Sequence, residues 1–178
     1  MTRRFEYNLD LNGTILPPPE LPASLGVVVR HPSTADIEHL SILMLDAYRG
    51  TVDYDGETIE EARTEVQSYF QALNHVGRGI WLTCSSVAKP GSPTAGESST
   101  VLCGACLVGY WPEREAPLIS YAMTVAGWKG RGLAGMLLRR SLRRLKEQGY
   151  PKVYAVITQG NIPSESLFSR AGFERVNP

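Results

Sequence analysis

The segment GWKGRGLAGMLLRR (residues 127–140) places three glycines in the spacing G-x-G-x-x-G at the start of a predicted helix. Gly130 and Gly132 lack a Cβ, so the backbone amides of such a turn can approach a phosphate group closely. The helix that begins here adds unpaired amides and the positive end of its dipole. The segment therefore predicts a strand-to-helix turn that binds a pyrophosphate. A tight turn without a ligand fits the same three glycines.

The surrounding sequence excludes two nucleotide-binding motifs that contain such glycine turns. A dinucleotide fold needs repeated strand–helix–strand units and an acidic residue at the end of the next strand. The next predicted strand, KVYAVIT (152–158), is followed by Gln159, and only one strand–helix–strand crossover is predicted. A Walker loop would need G-K-[ST], which this segment lacks.

The hydrophobic pattern of the whole chain predicts an α+β fold. Apolar stripes at steps of three and four indicate helices from Ile37 to Tyr48, from Ile59 to Leu73 and over about 132–148. Further strands are predicted at 27–30, 79–88, 100–111 and 117–125. The result is a mixed, mostly antiparallel central sheet flanked by helices, with one strand–helix–strand crossover that is expected to be right-handed.

The first residues alternate apolar and polar side chains in FEYNLDLN (5–12), which predicts a half-buried strand. Residues 1–26 are therefore interpreted as an N-terminal extension that contains this strand, and residues 27–178 as one domain. Since the sequence stops soon after its last strand begins, we expect residues 5–12, or a partner's copy, to cover an exposed edge of the sheet. A partner's copy would imply a homodimer.

Composition excludes several classes of protein. Lysine plus arginine (18) equals aspartate plus glutamate (18), so no overall field attracts nucleic acid or anionic lipid. No apolar run approaches the roughly 20 residues of a membrane span, which predicts a soluble, cytoplasmic protein with no membrane partner. Cys84, Cys103 and Cys106 are expected to be reduced, buried thiols, and no metal site is predicted.

Two motifs resemble those of the GNAT N-acetyltransferase family. The family loop [QR]-x-x-G-x-[GA] is similar to the segment from Lys129 to Ala134, with lysine in place of Gln or Arg. The family element N-x-x-[AS]-x-x-L-[YF]-x-x-x-G-F is similar to NIPSESLFSRAGF, from Asn161 to Phe173. The resemblance covers residues 27–176 and implies an acetyl-CoA-dependent N-acetyltransferase domain at 27–178.

The resemblance also implies where acetyl-CoA binds. Its pyrophosphate would lie on the loop amides, and its pantetheine would pair like an extra strand with the strand before the loop. Arginines 139, 140, 143 and 144 could reach the 3′-phosphate, but for most of them a solvated helix face is the favoured interpretation. The residues that the resemblance assigns to the cofactor are Ala122, Met123, Thr124, Lys129, Gly130, Arg131, Gly132, Leu133, Ala134, Gly135, Asn161, Ser164 and Phe168.

In this family the acceptor, a small-molecule or peptide primary amine, attacks the thioester directly in a ternary complex. The family usually has tyrosine at the position of Phe168, where its hydroxyl protonates the departing sulfur. We predict that Tyr121 takes this role, with Tyr154, Ser164 and Ser166 as alternatives. Asp55 is predicted as the general base, with Asp53 and Glu57 of the same loop also open, and after them Glu113 and Glu115 of a hairpin turn. Because Phe168 cannot donate a proton, a coenzyme A-binding module with weak or no catalysis is the alternative function.

Overall fold

Seven strands form one sheet in the computed structural model, which describes residues 3–17, 25–73, 78–91 and 101–176. The strands are β1 (Arg4–Asp10), β2 (Val27–Arg30), β3 (Ser86–Pro90), β4 (Gly104–Trp111), β5 (Ala116–Thr124), β6 (Lys152–Thr158) and β7 (Glu174–Arg175). Their order across the sheet is β2-β3-β4-β5-β6-β1-β7. Only β5 and β6 run parallel, which confirms the predicted mixed and mostly antiparallel sheet with one crossover.

Helices flank this sheet within the described ranges. They are α1 (Ile37–Tyr48), α2 (Ile59–Leu73), α3 (Arg78–Cys84), α4 (Leu133–Glu147) and α5 (Ile162–Arg170). A capping box begins α2, because the amide of Thr58 donates to Glu61 Oε2 at 2.8 Å and the amide of Glu61 donates to Thr58 Oγ1 at 3.2 Å. The apolar face of α4, which includes Leu137, Leu138 and Leu142, is fully buried against the sheet.

The strand predicted over residues 79–88 is wrong in its first half, where the chain forms α3 and enters β3 only at Ser86. A short apolar run fits a helix and a strand equally well by periodicity, so tertiary packing decides. Here Trp81 packs against the rings of Tyr110 and Tyr150, with centroids 5.5 and 5.3 Å away. The hydroxyl of Ser85 closes the turn by donating to the carbonyl of Trp81 at 2.8 Å.

The N-terminal strand covers a sheet edge within its own chain, as predicted. β1 pairs antiparallel with the whole of β6, from Arg4 opposite Thr158 to Asp10 opposite Lys152. The short β7 then pairs with β1 at Tyr7 and Asn8. Since the first strand takes the position beside β6, the residues that follow β1 pass close to the helices of the domain. A homodimer stays a prediction.

The contact between α4 and β4 depends on a glycine. A Cβ at Gly104 would lie 3.0 Å from Leu133 and 3.1 Å from Leu137. Gly104→Ala is therefore expected to lower the free energy of unfolding by about 1–3 kcal/mol through overpacking. Urea unfolding measures it, with Gly127→Ala as the control because a Cβ there meets nothing within 4 Å. Equal stabilities of the two variants would contradict this packing.

Candidate active site

β5 and β6 separate soon after they meet. Their parallel register has two pairs, Leu118 with Tyr154 and Ile119 with Ala155. On the other side of β5 the register with β4 shifts, so that Ser120 forms a bulge between Ile119 and Tyr121. A bulge bends a strand and raises its twist. The strands therefore splay apart beyond Ile119, and the backbone of the second half of β5 faces an opening.

A groove of about 760 Å³ runs from this opening between α4 and α5. It contains most of the residues predicted to hold the cofactor. Those that line it are Ala122, Thr124, Lys129, Gly130, Gly132, Leu133, Ala134, Gly135, Asn161 and Ser164. Three predicted residues do not line it: Met123 is buried in the core, Arg131 stacks on Trp128 with its guanidinium 5.1 Å from the ring centre, and Phe168 lines a second cavity.

The glycine turn has the geometry that the sequence predicts. Gly130 and Gly132 have φ of +77° and +82°, and a Cβ at either position would meet no atom within 4 Å. Gly132 caps α4, and its carbonyl accepts the first bond of the helix from Met136 at 3.0 Å. The amides of Leu133, Ala134 and Gly135 thus have no acceptor within the helix, and these three residues line the groove, as an anion-binding helix end requires.

The side chain of Lys129 is hydrogen-bonded to helix α1. Its Nζ donates to the carbonyl of Ala47, near the end of α1, at 2.9 Å. The amide of Ala126 donates to Asp46 Oδ2 at 2.7 Å, which ties the same loop to α1 a second time. The lysine that replaces the family's Gln or Arg therefore holds the loop against α1, and α1 forms one wall of the groove.

Thr124 offers an unsatisfied group at the splay. Its Oγ1 is buried and has no hydrogen-bond partner among the described residues, although the residue lines the groove. Buried hydroxyls are normally hydrogen-bonded, since leaving one unpaired costs on the order of 1–3 kcal/mol. A polar group of a ligand lying along β5 would satisfy it.

A second cavity, of about 500 Å³, opens on the other side of the splay. It shares Tyr48, Ala122, Asn161 and Ser164 with the groove, so the two spaces meet at these four residues. Its charged lining consists of Asp53, Glu57, Glu65 and Arg4. We call it the acidic cavity, because three carboxylates face one guanidinium.

Two tyrosines and Glu65 face each other in the acidic cavity. The hydroxyl of Tyr121 donates to Glu65 Oε1 at 2.8 Å. Burial, together with the nearby Glu65 carboxylate, raises the pKa of Tyr121 and of Tyr48 far above the ordinary tyrosine value, so both hydroxyls keep their protons at neutral pH. Sequence reasoning missed Glu65 and recognised Tyr48 only as an apolar position on a helix, because their convergence follows from the packing of α1 on α2.

Asn161 joins the groove to the acidic cavity. Its Oδ1 caps α5 by accepting from the amide of Ser164 at 3.1 Å, and its Nδ2 donates to Asp53 Oδ2 at 2.5 Å. Asp55, by contrast, is exposed and lines neither space; its amide donates to Glu57 Oε2 at 3.1 Å. The structure thus brings Asp53 and Glu57 of the predicted loop to the cavity and leaves Asp55 outside.

The remaining candidates for proton donation are distributed differently. Tyr154 packs edge-on against Trp111, with ring centroids 5.8 Å apart, and lines neither space. Ser166 lines the groove, and Ser164 lines both spaces. Phe168 is buried and packs edge-on against Phe173, with ring centroids 5.0 Å apart. Its side chain is an apolar wall of the acidic cavity.

The thiols and the carboxylates of the chain form no metal site in the ranges that the structure describes. Cys84, Cys103 and Cys106 are buried, as predicted, and form no disulfide, and burial raises the pKa of Cys106 to about 12.

None of the helices in the described ranges combines the length and the hydrophobicity needed to cross a membrane.

A family model for the acetyltransferase (GNAT) domain matches residues 27–174. The chain therefore belongs to the GNAT acetyltransferase family, which confirms the resemblance inferred from its two motifs. Acetyl-CoA is the acetyl donor that this family uses. A sequence search found no curated protein that matches the chain.

Solved structures share this fold. A GCN5-related N-acetyltransferase from Sphaerobacter thermophilus has a TM-score of 0.68 at 19% identity, over 97% of this chain and 48% of that one, so this chain spans about half its length. A ribosomal-protein-alanine N-acetyltransferase from Brucella melitensis has a TM-score of 0.61 at 22% identity, over 84% and 86% of the chains. A putative acetyltransferase from Salmonella typhimurium, with its cofactor acetyl-CoA, has a TM-score of 0.61 at 18% identity, over 84% of this chain and 80% of that one.

Proposed function

We propose that the protein transfers the acetyl group of acetyl-CoA to a primary amine that binds in the acidic cavity. The observation that carries this proposal is the meeting of the groove and the acidic cavity at the splayed end of β5. One space suits an extended phosphate-bearing donor and the other suits a cation. The two ligands would therefore meet at Tyr48, Ala122, Asn161 and Ser164.

Acetyl-CoA fits the groove by the chemistry of its lining. The unpaired amides of Leu133, Ala134 and Gly135 would hold the pyrophosphate. The pantetheine amides would pair with the exposed backbone of Ala122–Thr124, in the way that a peptide adds a strand to a sheet edge. Bound in this way, the donor supplies a thioester carbonyl for attack at the junction of the two spaces.

The acidic cavity supports a cationic acceptor. A primary amine arrives as an ammonium ion and must lose a proton before it attacks. Glu65 lines the cavity, and Tyr121 holds its carboxylate in place through the 2.8 Å hydrogen bond. Burial raises the pKa of the Tyr48 hydroxyl, at the junction of the two spaces, and Glu65 lies close enough to raise it further. Glu57, by contrast, is tied to the amide of Asp55 within its own loop. We therefore assign the base to Glu65, in place of Asp55. The nitrogen then attacks the carbonyl carbon, the carbon–sulfur bond breaks and coenzyme A leaves as a thiolate. The acetylated nitrogen gives up its second proton to solvent, from which the thiolate is protonated.

The departing thiolate does not need a strong acid. A thiol has a pKa of about 8.5, whereas burial holds the hydroxyl pKa values of Tyr48 and Tyr121 far above that of a free tyrosine. Full proton transfer from either tyrosine would run uphill, so we interpret their role as hydrogen bonding. Tyr121 was predicted as the donor, and Tyr48 is the tyrosine that lines both spaces. A hydrogen bond from either tyrosine to the departing sulfur can compensate in part for the hydroxyl that Phe168 lacks.

The alternative, a coenzyme A-binding module with little turnover, is favoured by Phe168 alone. Both functions require the groove to bind acetyl-CoA, so binding does not separate them. Release of free thiol in the presence of a panel of primary amines does. The proposed enzyme gives amine-dependent thiol release, whereas a binding module gives none.

We expect Gly132→Asp to abolish acetyl-CoA binding. A carboxylate would lie beside the predicted pyrophosphate position, and the aspartate would have to adopt φ of +82°. Gly149→Asp is the matched control, since Gly149 has φ of +84°, open space around its Cβ and a position beyond the far end of α4. Calorimetric titration with acetyl-CoA compares the two. Binding that survives in Gly132→Asp, or is lost in both variants, would contradict the assignment of the loop.

We expect Glu65→Gln to lower kcat by about 10²–10⁴-fold, the usual contribution of a general base, with the acetyl-CoA Kd unchanged. Asp55→Asn, an equivalent change at an exposed carboxylate, should leave kcat near the wild-type value. Thiol-release kinetics measure both variants. A large loss in Asp55→Asn with a normal Glu65→Gln would return the role of base to Asp55.

A further inference from the structure

The segment that follows β1 has a fixed backbone. Leu11 is completely buried, and its amide donates to the carbonyl of Pro151 at 2.8 Å. Asp10 Oδ1 accepts from the amides of Asn12 and Gly13, at 2.9 and 3.3 Å. The carbonyl of Thr14 accepts from Lys146 Nζ at 2.7 Å. The chain is therefore held against the C-terminal part of α4 as it reaches Ile15.

Ile15 is presented to solvent from this fixed backbone. Its side chain is 92% exposed, more than any other large apolar side chain in the described ranges. One exposed isoleucine is ordinary on a protein surface. This one, however, lines the groove together with Thr14, Leu16 and Pro17. An apolar side chain on the wall of a ligand groove is positioned to pack on what binds there.

The two helices that flank the groove show which part of it these residues line. Both ends of α5 line the groove, through Pro163 in its first turn, beside the splay, and through Arg170 and the following Ala171 at its C-terminal end. α4 leads away from the glycine turn, and Lys146, which anchors Thr14, lies eleven residues beyond Gly135. At 1.5 Å per residue this is about 16 Å along the helix. Residues 14–17 thus lie beyond the turn, at the end of the groove away from the splay.

Two arginines that line the groove have no carboxylate partner among the described residues. Arg139 and Arg170 line it, and neither belongs to the ion pairs found among the described residues. Arg143 and Arg144 both pair with Glu147, which fits the solvated helix face expected for most of the arginines of α4. Beyond the pyrophosphate of coenzyme A come a ribose 3′-phosphate and adenine, an anion next to a flat apolar ring. Unpaired guanidinium groups beside an apolar wall match this combination.

We propose that Ile15 and Leu16 form the adenine-binding wall of the coenzyme A site. The N-terminal segment, which lies outside the matched domain at 27–174, then acts as a ligand-binding element as well as a sheet strand. Because β1 pairs with β6, the residues that follow β1 reach the groove and line it. The inference rests on the proposed function, since it requires acetyl-CoA in the groove.

The test compares two ligands on one exposed substitution. Acetyl-CoA and S-acetyl-4′-phosphopantetheine, which lacks the adenosine part, are titrated into the full chain and into Ile15→Ser by protein-detected NMR. We expect Ile15→Ser to raise the acetyl-CoA Kd by about five- to tenfold, the loss of partial burial of one isoleucine. The Kd of the shorter ligand should not change. Ile42→Ser is the control, because Ile42 is 51% exposed and lines neither space.

The other outcomes of the titrations overturn either the adenine-binding wall or the proposed function. An unchanged acetyl-CoA Kd in Ile15→Ser, or an equal loss for both ligands, would show that Ile15 does not contact adenine. Equal effects of Ile15→Ser and Ile42→Ser would have the same meaning. A wild-type protein that does not bind acetyl-CoA would instead remove the proposed function.

Discussion

The early end of the pairing between β5 and β6 is the constraint on which the site depends. Ser120 bulges out of register with β4, and its Oγ would lie 2.6 Å from a Cβ at Gly109, which pairs with Leu118. Backbone groups that would otherwise complete the ladder face a space instead. The opening also connects two cavities that a continuous sheet would keep apart.

The two spaces on either side of the splay have opposite electrostatic character. The groove begins at the amide end of α4 and continues past Arg139 and Arg170, which favours anions. The acidic cavity has three carboxylates, which favour a cation. An anionic donor and a cationic acceptor would thus each be attracted to its own side. The hydrogen bonds that Asn161 donates to Asp53 and that Tyr121 donates to Glu65 hold these carboxylates near the junction.

Features encoded by local spacing could be predicted from the sequence. The glycine turn and α4 both depend on residues within a few positions of each other. The helix at Arg78–Cys84 was missed because its apolar run is ambiguous until Trp81 packs against Tyr110 and Tyr150. Contacts between distant segments leave no local pattern, which is why neither Glu65 nor the engagement of Lys129 with Ala47 could be predicted.

The N-terminal strand illustrates both sides of this limit. Its alternating pattern predicted a strand, and the need to cover an edge predicted its use in the sheet. That the strand lies between β6 and β7, and that the following residues line the groove, depends on the path of the whole chain. No local pattern around Ile15 indicates that its side chain lines a groove.

Amide hydrogen exchange with and without acetyl-CoA tests the central claim most directly, because the claim concerns backbone groups at the splay. The account predicts that acetyl-CoA slows exchange most at Ala122–Thr124 and Leu133–Gly135, well beyond any change at the distant edge strand Val27–Arg30. Slowing that is equal throughout the chain would reflect ligand-linked stability alone. That result, or protection confined to segments outside the groove, would contradict the placement of acetyl-CoA along β5.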